Sequence, residues 1–104
     1  MRTLLKVSIP VEAGNVAAKN GTLDSTVKEI LASLKPEATY FFLSENGERA
    51  ISSVFDMQDT SQIPAIVEPW FLAFNAKVFF QPIMDAQDFA KAGPTFAKIV
   101  QQYK

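Results

Sequence analysis

The chain has no histidine and no cysteine among its 104 residues, so any chemistry falls to lysine, arginine, tyrosine, carboxylates, hydroxyls and amides. Without imidazole the commonest general base near neutral pH and the commonest metal ligand are gone. Without thiols there are no disulfides, thiolate metal sites or cysteine nucleophiles. Lys6 and Ser8 stand out among what remains. They interrupt an apolar run, Thr3 to Ile9, in which Leu5, Val7 and Ile9 occupy the alternate positions. In an extended strand this alternation places Lys6 and Ser8 on the face opposite those three. Lys6 there can act as a base or anchor an anion; the plainer reading is a packed stem with its ammonium at the rim.

The other candidates are weaker one by one. Tyr40 can donate a hydrogen bond to a substrate oxygen, or be a core tyrosine with its hydroxyl at the edge. Arg49 opens a strand after a turn, which suits a solvated end as well as a ligand fork. Trp70, beside Pro69, can line a pocket for a flat ligand, yet it also sits on an apolar helical stripe. Asn15 follows Gly14 just after the first strand, and Phe79 lies in the last. If the Lys6 face continues across a sheet, Tyr40 or Phe42, Arg49 or Ser53, and Phe79 or Gln81 can join it. Register decides which, and a slip of one residue exchanges every member. Asp56 and Asp59 flank a turn, but they lack the glycine-spaced oxygens of a calcium loop. No metal and no cofactor are expected.

The elements that must position these residues follow from periodicity. Strands are expected over Thr3 to Ile9, Ala38 to Leu43, Arg49 to Phe55 and Ala76 to Ile83. Asn46-Gly47 makes a hairpin turn between the second and third. Val11 to Asn20 is a short helix. A second helix, with Asp24 as its cap, carries Val27, Ile30, Leu31 and Leu34 at helical spacing and stops at Pro36. A third starts at Asp59, with Gln62 completing a capping box, and bears Ile63, Ile66, Val67, Trp70 and Phe74 on one stripe. Pro69 within it predicts a kink or break near Glu68. After Asp85, a cap with Asp88 at the third position, a short helix is expected to about Ala92. Gly93-Pro94 ends it, and Thr95 to Tyr103 forms a terminal helix that should dock on something.

Length and a hydrophobic content of 48% bound the chain to a single domain, residues 1–104. A net charge of -1 with scattered basic residues argues against nucleic acid as a partner. No stretch approaches the ~20 apolar residues of a membrane span, so no membrane partner is expected. The start of the chain has too short an apolar run for a secretory signal, and the expected location is cytoplasmic.

Strand, helix, two strands, helix, strand and a C-terminal helix is the ferredoxin-like βαββαβ order, an α+β fold with a four-stranded antiparallel sheet. The sheet face away from the helices should be polar in a monomer. Here Tyr40, Phe41, Phe42, Phe79 and Phe80 place rings on both faces. A wet face with several such rings is adhesive. Either the C-terminal helix covers it in cis or a second chain packs sheet to sheet. The second option is favoured, because the Gly93-Pro94 break suggests an arm, and a homodimer follows.

In this order of elements and in its two-sided aromatic strands, the chain resembles the dimeric α+β barrel superfamily. The segment EPWFLAFNAKVFFQPIMDAQDFAKAG is similar to a group of small uncharacterised bacterial proteins of that architecture. The resemblance implies two ferredoxin-like sheets facing each other across a cavity. The superfamily includes cofactor-independent monooxygenases, haem-degrading enzymes, isomerases and ligand-sensing domains, so fold alone does not select an activity. Haem degraders typically use a histidine iron ligand, which this chain lacks. Asn15, Tyr40, Arg49 and Trp70 are residue types that the superfamily's oxygenases use to hold an aromatic substrate. The expected function is binding of an apolar or aromatic small molecule at the sheet face. The alternative is a cofactor-independent monooxygenase or isomerase acting on an aromatic or enolic substrate.

Overall fold

A computed structural model describes residues 1–104. Strand β1 (Arg2–Ile9) buries Thr3, Leu5, Val7 and Ile9 and leaves Lys6 exposed, as its alternation predicts. Pro10 cannot extend the ladder and instead starts helix α1 (Val11–Lys19). Helix α2 (Leu23–Leu34) begins after Thr22 rather than at Asp24. Asp24 is therefore not the cap. It lies in the first turn, where the positive end of the helix favours a carboxylate, and pairs with Lys28 at 3.0 Å. Lys35 closes α2 in the left-handed region, ahead of Pro36.

Strands β2 (Ala38–Leu43) and β3 (Arg49–Asp56) form the hairpin, with Gly47 at φ 79° in its turn. The chain then turns through a 3-10 segment, Thr60–Gln62, capped by Asp59 in a complete capping box. Helix α3 (Ile63–Phe74) follows without a break, which corrects the expected interruption at Glu68. Pro69 costs the helix one backbone bond. Trp70 and Phe74, buried on the same stripe, hold the turn that follows it against the sheet. Asn75 ends α3 at φ 52°, its N–H donating to the Phe71 carbonyl, and the chain reverses into β4 (Lys77–Pro82).

Helix α4 is one element, Ala86–Gln102, not two. Gly93 has no Cβ to clash with the Pro94 ring, so the pair sits in the helix without stopping it. At its start Asp85 accepts from the Asp88 N–H at 2.8 Å and Asp88 from the Asp85 N–H at 3.1 Å. Arg2 reaches Asp85 at 2.8 Å, tying the base of α4 to the first strand.

All four strands are antiparallel, in the order β2-β3-β1-β4, the ferredoxin-like arrangement. Helices α1 to α3 cover one face, and Leu5, Val7, Ile51, Phe55, Trp70 and Phe74 make the core between layers. No strand or helix packs along α4, which projects from the body. The radius of gyration is 17.4 Å, against about 13 Å for a compact chain of this length.

The caps give an acid dependence. The Asp88 N–H bond, and behind it the charge of Arg2, holds the Asp85 carboxyl below the ordinary range; the Ser61 N–H does the same for Asp59. A carboxyl depressed in the folded state contributes stability that is present above its unfolded pKa of about 3.9 and lost as pH falls through the folded value. The start of α4 is expected to be intact at pH 5 and to fray below about pH 4. Hydrogen exchange at the Asp88 amide checks this. Unchanged protection down to pH 2 would show that the cap does not hold the helix.

Candidate functional site

The register fixes what shares the open face with Lys6. Tyr40 pairs with Ser52, Ser52 with Lys6 and Lys6 with Phe79, a row across all four strands. One step along, Phe42, Ala50, Ser8 and Lys77 form a second row. With strands about 4.8 Å apart, each row spans roughly 14 Å.

These rows make a trough. Its floor, on the two central strands, is Ala50, Ser52 and Ser8, all small. Its walls, on the edge strands, are Tyr40 and Phe42 on one side and Phe79 and Lys77 on the other. Tyr40 is 64% exposed, Phe42 45% and Phe79 55%. Lys6 rises from the middle. No carboxylate pairs with it or with Lys77, whereas Arg2 meets Glu37 and Asp85. Ser8 Oγ donates to Glu48 Oε1 at 2.6 Å, which places a carboxylate from the hairpin turn at one end of the floor. The arrangement can stack a flat ring against one aromatic wall and present an ammonium to a negative oxygen.

Of the residues singled out from the sequence, Lys6, Ser8, Tyr40 and Phe79 come together on this face. Arg49 does not: it pairs with Ile9 in the β1–β3 ladder and so belongs to the helix side. There its guanidinium donates to Asn15 Oδ1 at 3.2 Å and packs over Gly14, where a Cβ would collide with it. Asn15 and Arg49 thus bind each other, behind the sheet. Trp70 is 1% exposed, in the core. Of the set Asn15, Tyr40, Arg49 and Trp70, only Tyr40 faces the trough. Ser52, which sequence reasoning missed in favour of Arg49 or Ser53, occupies the central β3 position beside Lys6. Pairing of Leu43 with Arg49 across the hairpin is what puts Ser52 there, and loop length was the signal that could have shown it.

A second hollow lies on the helix side between α2 and α3, about 620 Å³ in volume, with Ile30, Leu34, Phe55, Ile66, Trp70 and Leu72 in its lining. Glu29 and Asp56 are its only charged members.

No family model matches the chain, and no curated protein matches it. Solved structures do. The 5-chloro-2-hydroxyhydroquinone dehydrochlorinase TftG of Burkholderia phenoliruptrix, in complex with 2,5-dihydroxybenzoquinone, aligns over 84% of this chain and 97% of its own, with a TM-score of 0.61 at 13% identity. A formyltetrahydrofolate deformylase of Pseudomonas putida aligns over 80% of this chain but only 29% of its own, with a TM-score of 0.51 at 16% identity. At such identities the likeness is one of fold, and the fold is the ferredoxin-like α+β arrangement of small proteins such as TftG.

Proposed function

We propose that two copies of the chain pair through their open sheet faces and enclose a small aromatic or apolar molecule between the troughs. One observation carries this reading: a small-residue floor flanked by exposed aromatic walls, with an unpaired ammonium at its centre. A packed wall of a monomer has no use for rings left in water. An acidic ligand suits Lys6 best, since a carboxylate or phenolate would supply the charge partner that the chain itself does not.

The test is thermal denaturation against a panel of benzoates, phenols and hydroxyquinones. A ligand at one hundred times its Kd is expected to stabilise the fold by about 2.7 kcal/mol. Lys6→Met should weaken binding of the acidic members by tenfold or more and leave neutral aromatics unaffected. If no compound raised the melting temperature, the binding reading would fall.

A catalytic version of the site uses the same Lys6 ammonium, here to stabilise the negative charge that develops on the oxygen of an enolic substrate, in the manner of a cofactor-independent monooxygenase or isomerase. It would be marked by product formation that Lys6→Met abolishes while a neutral analogue still binds. Binding without any turnover across the panel would exclude it.

A further inference from the structure

Glu48 gives the trough a second charged end. It closes the hairpin turn just before β3, is half-buried, and has its carboxylate aimed by a short chain of polar groups. Ser8 Oγ donates to Oε1 at 2.6 Å from the floor, and Asn46 Nδ2 donates to the same oxygen at 3.4 Å from the turn. Asn46 Oδ1 in turn accepts from Ser44 Oγ, which itself accepts from the Glu48 N–H at 3.1 Å. Oε2 takes no bond from the chain, and no lysine or arginine pairs with the carboxylate. An ionised carboxylate only accepts hydrogen bonds, so what Oε2 lacks is a donor.

We infer that the ligand is an aromatic acid with a hydroxyl opposite its anionic group, and that this hydroxyl donates to Glu48 Oε2. The inference rests on the binding reading above and names the class of molecule within it. Lys6 and Ser8 are two residues apart on one face of β1, about 6.8 Å along the strand. That is the scale of a benzene ring measured across two opposed substituents. An acid group held by Lys6 therefore directs the far substituent towards Ser8 and Glu48. Charge fixes the orientation, because a reversed ligand would bring its anion against a carboxylate. A hydroxyl next to the acid group would stay beside Lys6 and never reach Glu48.

Lys77 is the other charge at this end, opposite Ser8 in the β1–β4 ladder, and it could instead draw a second anion. It is exposed on an edge strand and makes no ion pair, whereas Ser8 ties Glu48 to the floor. A second anion near Lys77 would also lie close to the Glu48 charge; a neutral hydroxyl meets no such opposition. Once two faces close over the ring, a hydroxyl gives up its bond to water, and the waiting acceptor replaces it.

Calorimetric titration with benzoate, 2-hydroxybenzoate, 4-hydroxybenzoate and terephthalate tests this. At pH 7 the hydroxyl keeps its proton, as a phenol with a pKa of about 10 does. 4-Hydroxybenzoate is expected to bind at least tenfold tighter than benzoate or 2-hydroxybenzoate, and terephthalate more weakly than benzoate. Glu48→Met removes the acceptor and should bring the ratio of 4-hydroxybenzoate to benzoate affinity close to one, with benzoate still bound. Taking the ratio cancels any general gain in anion affinity from the lost negative charge. Three results would overturn the inference and leave the binding reading standing: a ratio near one in the parent chain, a ratio unchanged in Glu48→Met, or terephthalate bound as tightly as 4-hydroxybenzoate. Failure of all four acids to bind would instead remove the binding reading, and this inference with it.

Discussion

Replacing Trp70 by alanine is expected to cost about 3–5 kcal/mol, the largest loss that any single substitution in this chain should cause. The side chain is 1% exposed and lies between α3 and the sheet, with the Phe74 ring 6.3 Å away. Truncation removes the transfer energy of the indole and leaves a void that its neighbours fill only partly. Two features of its position act in opposite directions. Pro69, the preceding residue, has already removed one bond from α3, so the helix relies on tertiary packing more than most. Trp70 also lines the α2–α3 cleft, so α3 can settle and water can enter, which limits the strain of the void. With a total stability of roughly 5–15 kcal/mol, the loss leaves the fold marginal. Leu72, two residues on and 83% exposed, is the control: its alanine variant should change stability by less than about 0.5 kcal/mol. Urea denaturation of the two variants measures the difference. A Trp70→Ala midpoint close to that of Leu72→Ala would mean that α3 does not seal the core.

The elements were legible in the sequence because each rests on local signals that agree. Leu5, Val7 and Ile9 mark one face of β1, and Val27, Ile30 and Leu34 mark the buried side of α2, before any tertiary contact is known. Asp59 with Gln62, and Asp85 with Asp88, announce helix starts through side chains that reach only a few residues. What failed was punctuation weighed in isolation. Pro69 and Gly93-Pro94 read as breaks, yet a proline removes a single bond, and helices with a good start continue through it. Asp24 looked like a cap, but the helix begins earlier, after Thr22, and the carboxylate serves its first turn instead.

The site was legible by half, for a different reason. Alternation separates Lys6 and Ser8 from the core face without knowledge of any other strand. Which residues stand beside them across the sheet is set by register, and register is a property of hairpin geometry and of the crossover helices. Hence Ser52 was missed, while Arg49 was assigned to a face it does not occupy. The pairing of Arg49 with Asn15 depends on α1 approaching β3 closely over Gly14, a contact between residues 34 positions apart in the chain. No local pattern encodes it. The cleft between α2 and α3 is likewise a product of packing, visible only once both helices are seated.

Phe79→Asp is expected to dissociate the proposed sheet-paired dimer while leaving each subunit folded. The ring is 55% exposed on the last strand, beside Lys6, so the monomer invests little of its own stability in it. In a twofold interface every substitution occurs twice. If pairing buries the remainder of each ring, the loss is about 1.5–3 kcal/mol per copy at most, and the carboxylate adds the cost of desolvating a charge. Twice that range corresponds to a weakening of about 10² to 10⁴-fold in Kd. An aspartate at this position would also lie next to Lys6, and in the monomer the two can pair at the surface for a few tenths of a kcal/mol. The substitution should therefore harm association far more than folding, and that separation is what makes it diagnostic. Sedimentation velocity across a hundredfold range of concentration should show a dimer for the parent chain and a monomer for the variant, with superimposable far-ultraviolet dichroism. Replacing Phe80, which faces the helices and packs against Phe55 at 6.2 Å, should do the reverse and lower stability first. If Phe79→Asp sedimented as the parent does, the open face would not be where two copies meet.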